Sequence, residues 1–165
     1  MRNQDIEDFA RFLKEFQSES DRGAALVGAA LLDQKLAETL RAFLVENRVA
    51  KTLVEGANAP LGTLAARLQA SFALGLIDEF EFREINRVRK VRNEFAHRAH
   101  GTTFSDPKIK GTCGSLESDL PGGAESFSDN PRGMYINSVI LMALRLTYRA
   151  ERVARERRQV TTWPY

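Results

Sequence analysis

The stretch "GAALVGAALLDQKLAETLRAFLVEN", residues 23–47, decides the fold because it carries the clearest helical pattern in the chain. Its apolar residues recur at three- and four-residue steps, the period of an amphipathic helix. Its small residues lie four apart, so Ala24 shares a face with Gly28, and Ala25 with Ala29. A glycine inside a helix costs up to about 1 kcal/mol relative to alanine, so Gly28 is expected where the backbone of another helix approaches closely.

Helical patterns continue on both sides of this stretch, and capping residues separate them. Ser18, Ser20 or Asp21 can cap the long helix, and Asp78 followed by Glu81 has the spacing of a capping box. Convincing strand patterns are absent. The sequence therefore predicts an all-α bundle of five to seven helices, in a single domain over residues 1–165. The other predicted helices cover residues 4–18, 61–74, 78–97 and 134–158, and a short helix or turn begins at Asp106.

A long irregular segment, "SDLPGGAESFSDNPRG", covers residues 118–133. Proline, glycine, serine and aspartate dominate it, and it lacks helical periodicity. Loops of this length without regular structure are usually lids, binding loops or mobile excursions. The sequence leaves these three possibilities open.

Composition excludes several classes of protein. The chain is 43% hydrophobic and 28% charged, which is ordinary for a globular domain and too apolar for a disordered one. Its single cysteine, Cys113, cannot form an internal disulfide, and the N-terminus lacks an apolar signal sequence, so a cytoplasmic protein is expected. No apolar run is long enough to span a membrane.

The sequence also lacks the motifs that bind metals or cofactors. Cys113, His97 and His100 do not have the spacing of metal ligands, and the glycines match neither a phosphate-binding loop nor a dinucleotide-binding motif. The sequence therefore predicts no cofactor, no metal and no evident small-molecule site.

The net charge is only +2, but arginines and lysines concentrate in two segments, residues 83–98 and the chain after Arg132. Such segments can bind nucleic acid or an acidic protein partner, or they can form internal ion pairs and a solvated face. The candidate anion or partner surface consists of Arg89, Lys90, Arg145, Arg149 and Arg152.

The segment "RKVRNEFAHR", residues 89–98, contains the most suggestive polar residues. On a helical wheel, Ile85, Val88, Val91 and Phe95 define a buried arc, and Arg92 falls inside it. A partly buried guanidinium group needs a carboxylate partner, so Arg92 is expected to form a structural ion pair. Its candidate partners are Asp21, Asp33 and Glu38, on or before the long helix.

Arg92, Asn93 and His97 also permit a catalytic interpretation. Arginine followed by a polar residue, with histidine late in the same helix, resembles the signature of HEPN domains, which are small α-helical bundles that often dimerise. That resemblance implies a metal-independent endoribonuclease or a degenerate relative, with histidine moving a proton and arginine stabilising phosphoryl charge. Arg92 and His97 are about 140° apart around the helix, so they converge only if the helix bends or a second copy contributes its own pair. The alternative is a structural Arg92 and a helix-end His97.

Three ordered blocks resemble the mannitol operon repressor family. They are "EFQSESDRGAALVGAALLDQKLAETLRAFL" from Glu15, "GANAPLGTLAARLQASFALGLID" from Gly56 and "NRVRKVRNEFAH" from Asn86. The resemblance runs from about Phe12 to Leu116. It implies a cytoplasmic all-α transcriptional regulator or regulatory interaction protein without a recognisable DNA-binding motif, and a non-catalytic role is expected. A homodimer is expected, with a protein or nucleic-acid partner.

Overall fold

The computed structural model is an all-α bundle, as the sequence predicts, and the described part of the chain contains no strand. The described residues are 2–56, 58–98, 100–119, 123, 127 and 129–164. They form eight α-helices: α1 (Asn3–Ser18), α2 (Asp21–Phe43), α3 (Arg48–Val54), α4 (Leu64–Ala73), α5 (Glu79–His97), α6 (Pro107–Cys113), α7 (Pro131–Leu146) and α8 (Arg149–Val153).

Helix α2 lies at the centre of the bundle and contacts α1, α3, α4, α5, α7 and α8. The principal core forms where α2, α5 and α7 meet, and a smaller cluster packs around the C-terminal end of α2. Burial of apolar surface at about 25 cal/mol per Å² is the main stabilising force in such a core. The long helix predicted from residues 23–47 is therefore the element around which the others pack.

Gly28 lies where α1 and α7 approach α2. A Cβ atom built on Gly28 would lie 3.0 Å from the Phe16 ring and 3.0 Å from a Val139 methyl group. Both neighbours are buried. Gly28 therefore packs tightly against side chains from two helices, and the atoms nearest its Cβ position are side-chain atoms rather than the backbone atoms of another helix.

Gly28→Ala is expected to lower the free energy of unfolding by about 1–2 kcal/mol, because overpacking a filled core costs more than the gain in helix propensity returns. Urea denaturation monitored by circular dichroism measures the change. Gly111→Ala is the matched control, since a Cβ atom there meets nothing within 4 Å. Equal or greater stability of Gly28→Ala would contradict the tight packing.

Capping residues set the helix boundaries and account for the differences from the predicted bounds. Ser20 caps α2 by accepting a hydrogen bond from the Gly23 N–H, and the capping box of Asp78 and Glu81 is complete at α5. The predicted helix over residues 23–47 ends at Phe43, because the Asn47 side chain accepts from the Ala50 N–H and starts a separate helix, α3. The sequence pattern missed α3.

The C-terminal helix predicted over residues 134–158 differs in the same way. It begins at Pro131, where the Asn130 side chain accepts from the Gly133 N–H and proline occupies the first turn. It is interrupted at Thr147 and Tyr148, after which α8 runs to Val153 and a 3₁₀ turn follows. Seven of the sixteen residues of the predicted irregular segment, residues 118–133, lie outside the described residues, and its last three residues form the start of α7. None of the described helices is both long enough and apolar enough to cross a membrane.

Candidate functional site

The inner face of α5 matches its predicted arc. Ile85, Val88, Val91 and Phe95 are all fully buried against the other helices. This arc orients α5, and it therefore determines which of its polar residues reach the surface.

Arg92 is exposed, and the prediction that it is a partly buried ion-pair anchor is wrong. Its guanidinium group donates to the Asn93 side-chain oxygen at 3.2 Å, and it forms no ion pair among the described residues. The facing residues explain the difference: Ala29 and Ala30 on α2 and Gly62 before α4 are small, so they leave a groove beside Arg92. The long side chain of Arg92 can therefore extend its guanidinium group into the open space.

The proposed partners of Arg92 are bound elsewhere. Asp33 forms an ion pair with Arg67 at 2.5 Å. Asp21 accepts from the Phe104 N–H at 3.1 Å and pairs with Arg132 at 3.2 Å. The carboxylates named from the sequence are thus structural, but they stabilise other contacts.

Arg92→Ala is expected to change the free energy of unfolding by less than about 0.5 kcal/mol, as exposed substitutions without buried partners usually do. Arg67→Ala is the contrasting variant, because Arg67 is mostly buried and also donates to the Leu61 and Val54 carbonyl oxygens. Arg67→Ala should lower the free energy of unfolding several times more than Arg92→Ala does. Urea denaturation measures the free energy of unfolding of both variants. A larger loss of stability for Arg92→Ala than for Arg67→Ala would support the prediction that Arg92 is a structural ion-pair residue.

A groove between α2, the start of α4 and α5 is a cavity lined by several of the predicted site residues of α5. Its volume is about 510 Å³, within the range of small-molecule sites. Apolar and small residues of α2 and α4 form the floor, and the polar residues come mainly from α5. The groove is lined by Leu26, Ala29, Ala30, Asp33, Gly62, Thr63, Leu64, Ala65, Arg89, Arg92 and Asn93.

The groove brings together some of the predicted site residues and separates others. Arg89, Arg92 and Asn93 all line it. His97 is exposed in the last turn of α5 and does not line it, and neither does Lys90. Arg92 is therefore grouped with Asn93 and Arg89 rather than with His97.

The charges in the groove are incompletely paired. Arg89 donates only to the neutral Asn86 side chain, at 3.1 and 2.9 Å, and no ion pair of Arg89 forms among the described residues. Across the groove, the Oδ1 atom of Asp33 is buried and has no hydrogen-bond partner. By contrast Arg83 and Arg87, on another side of α5, are paired with carboxylates.

Carboxylates at the start of α5 neutralise most of the arginine stripe of the C-terminal helices, which consists of Arg145, Arg149 and Arg152. Glu81 is 0% exposed, and it receives ion pairs from Arg145 at 3.0 Å and Arg149 at 2.7 Å. Arg145 also pairs with Asp78 at 2.7 Å. Of the stripe, Arg152 alone has no ion pair among the described residues. The stripe is therefore mainly an internal contact with a neighbouring helix, and Arg145 and Arg149 are not a free anion surface.

A second buried carboxylate, Glu84, attaches α5 to the chain after α6 and to α7. It accepts from the hydroxyl groups of Ser118 at 2.6 Å and Ser138 at 2.9 Å, and it pairs with Arg87 at 2.8 Å. Arg87 and Arg83 also hydrogen-bond to Glu117 and hold the pKa of that carboxyl below its usual range. These contacts were not predicted from the sequence.

Two large apolar side chains are exposed on α2 beside the groove. Leu26 and Val27 are each 37% exposed, and Ala30 is also exposed. We refer to Leu26, Val27 and Ala30 as the α2 face. This apolar patch has Arg89 and Arg92 beside it, and arginine is enriched at protein–protein interfaces.

Among the described residues, no group of three or more His, Cys, Asp and Glu side chains could hold a metal ion.

Comparisons with known proteins agree on one family and one fold. The sequence profile of the family described as "Mannitol repressor" matches residues 19–122, more than half of the chain. A chain in the X-ray structure of the MtlR–HPr complex from Escherichia coli has a similar fold, with a TM-score of 0.55 and 21% sequence identity. The match covers 88% of this chain and 97% of that one. No curated protein matches the sequence significantly.

Proposed function

The chain belongs to the mannitol repressor family, and on that premise we propose that it is a regulatory interaction protein that acts by binding an HPr-type protein. The observation that carries this proposal is the similar fold of a chain from the MtlR–HPr complex. The chain would influence transcription through that partner rather than through a DNA-binding element of its own.

The α2 face supports the proposal because it is an exposed apolar patch on the central helix of the bundle. Leu26 and Val27 project from a helix whose opposite side is fully buried, so their position is fixed by the core. Side chains held in place by a core lose little conformational freedom when a partner covers them, so less of the binding free energy is spent on ordering them. Arg89 and Arg92 beside them can form polar contacts at the rim.

The internal pairing of the arginine stripe also supports a protein partner rather than DNA. DNA binding draws its affinity mainly from arginines and lysines that neutralise phosphates. Arg145 and Arg149 are already paired with Glu81, so they have little charge left for phosphates. Direct DNA binding through the stripe is accordingly not proposed.

Isothermal titration calorimetry with the HPr protein of the organism that encodes this chain tests the proposal. A dissociation constant below about 100 μM is expected, in the range of transient signalling contacts. Absence of binding with both proteins at millimolar concentration would refute the partner assignment.

An endoribonuclease of the HEPN type is the second candidate, favoured by the exposure of both Arg92 and His97 on α5. Neither side chain is buried in an ion pair, so both are accessible to RNA. Cleavage of single-stranded RNA by the purified chain in EDTA, abolished in His97→Ala and in Arg92→Ala, would support this candidate. Unchanged cleavage in both variants, or no cleavage by the native chain, would reject it.

Sedimentation analysis of the same sample tests the predicted homodimer. A dimer could bring Arg92 of one copy close to His97 of the other.

A further inference from the structure

We propose that the groove between α2, α4 and α5 binds a small phosphorylated molecule that also carries a hydroxyl group. The proposal concerns the isolated chain and does not depend on the HPr-type partner. It starts from three side chains of the groove, Arg89, Arg92 and Asp33, whose interactions within the described chain are incomplete.

Arg89 and Arg92 supply the anion-binding part of the site. Both line the groove, and their hydrogen bonds go to the neutral side chains of Asn86 and Asn93. Arg89 is half-buried, so part of its charge is removed from water without a carboxylate to compensate it. Such a guanidinium group is stabilised by an anion. Two of them at one cavity suit a phosphate, which offers several acceptor oxygens and to which arginine can bind through two parallel hydrogen bonds.

Arg89 and Arg92 differ from the other arginines of α5. Arg83 pairs with Glu79 and Glu117, and Arg87 pairs with Glu84 and Glu117. The same helix therefore provides two arginines that are compensated internally and two that face a cavity without compensation. This contrast is what the binding of an external anion would require.

Asp33 supplies the second part of the site. Its Oδ2 atom is bound by Arg67, which compensates the charge of the carboxylate. Its Oδ1 atom is buried without a hydrogen-bond partner, which is unfavourable for a buried acceptor. Because the charge is already compensated, a neutral O–H donor is sufficient, and a ligand hydroxyl group in the groove would provide it.

The size and lining of the groove limit the ligand to a small molecule. A volume of about 510 Å³ accommodates a compact organic phosphate. Leu26, Leu64 and Ala65 provide apolar contact for its carbon chain. Glycerol 3-phosphate is the smallest convenient probe, since it has both a phosphate and hydroxyl groups.

Isothermal titration calorimetry of the full chain with glycerol 3-phosphate tests the proposal. The double variant Arg89→Gln/Arg92→Gln should bind at least tenfold more weakly than the native chain. The control Arg152→Gln/Arg155→Gln removes the same net charge from exposed arginines outside the groove and should bind within twofold of the native chain. Circular dichroism confirms that both double variants are folded, which is expected because Arg89 and Arg92 bond only to amide side chains.

Two further probes separate the parts of the site. Methyl phosphate lacks the hydroxyl groups and should bind about fivefold more weakly than glycerol 3-phosphate, as expected for one lost hydrogen bond. Glycerol lacks the phosphate and should not bind. The proposal fails if the native chain does not bind glycerol 3-phosphate at 20 mM, or if the two double variants lose affinity equally. It also fails if methyl phosphate and glycerol 3-phosphate bind with the same affinity.

Discussion

Glu81→Ala is expected to lower the free energy of unfolding by about 3–5 kcal/mol, the range observed when one partner of a buried ion pair is removed. Glu81 is fully buried, and its loss leaves the guanidinium groups of Arg145 and Arg149 without their shared carboxylate. The side chain also accepts from the Asp78 N–H in the capping box, so the start of α5 is weakened as well. Urea denaturation followed by circular dichroism measures the loss.

Glu79→Ala is the matched control for this variant. Glu79 lies in the same first turn of α5, but its side chain is 75% exposed and pairs only with Arg83. Exposed ion pairs contribute about 0–1 kcal/mol, so the control should remain close to the native stability. Similar losses in the two variants would show that helix-end charge, rather than the buried ion pairs, stabilises this part of the bundle.

Leu26→Asp is expected to weaken binding of the HPr-type partner by at least about thirtyfold, or 2 kcal/mol, the threshold for an interface hot spot. The substitution removes an apolar contact and places a charge on the proposed interface. Since Leu26 is already partly exposed, the fold should tolerate the change. Isothermal titration calorimetry gives the affinity, and thermal unfolding confirms that the variant is folded.

Leu144→Asp provides the control at another surface. Leu144 is 38% exposed, close to the 37% of Leu26, but it lies on α7 rather than on α2. It should bind the partner within about twofold of the native chain. An equal loss in both variants would indicate a general effect of the added charge, and a loss in Leu144→Asp alone would move the interface to α7.

Local sequence patterns were sufficient for the helices and for the inner face of α5. The periodicity of Ile85, Val88, Val91 and Phe95 depends on one helix alone, and all four are buried as predicted. The same is true of the capping box at Asp78 and Glu81, which involves residues three apart. Short-range geometry of this kind can be derived from a single segment.

Arg92 shows what local patterns cannot provide. It was placed inside the buried arc and expected to be partly buried, but its exposure depends on the size of the facing residues on α2 and before α4. The pairing of Asp33 with Arg67 likewise depends on how α4 packs against α2. Contacts between segments distant in sequence require the fold itself.

The buried glutamates of α5 could have been found from the sequence. On the wheel that places Ile85 and Val88 inside, Glu81 and Glu84 fall within the same arc. Two carboxylates among apolar positions predict buried partners, because an unpaired buried charge is strongly destabilising. The identity of those partners, Arg145, Arg149 and Arg87, still required the structure.

Chemical-shift mapping tests most directly whether this chain acts by binding an HPr-type protein through α2. The ¹⁵N-labelled chain is titrated with the unlabelled HPr protein of the same organism, and backbone amide shifts are followed by NMR. We predict that the perturbed amides cluster on the α2 face, Leu26, Val27 and Ala30, and along the adjoining Arg89 and Arg92. Shifts confined to α7 and α8, or no shifts at saturating HPr concentration, would contradict the proposed function.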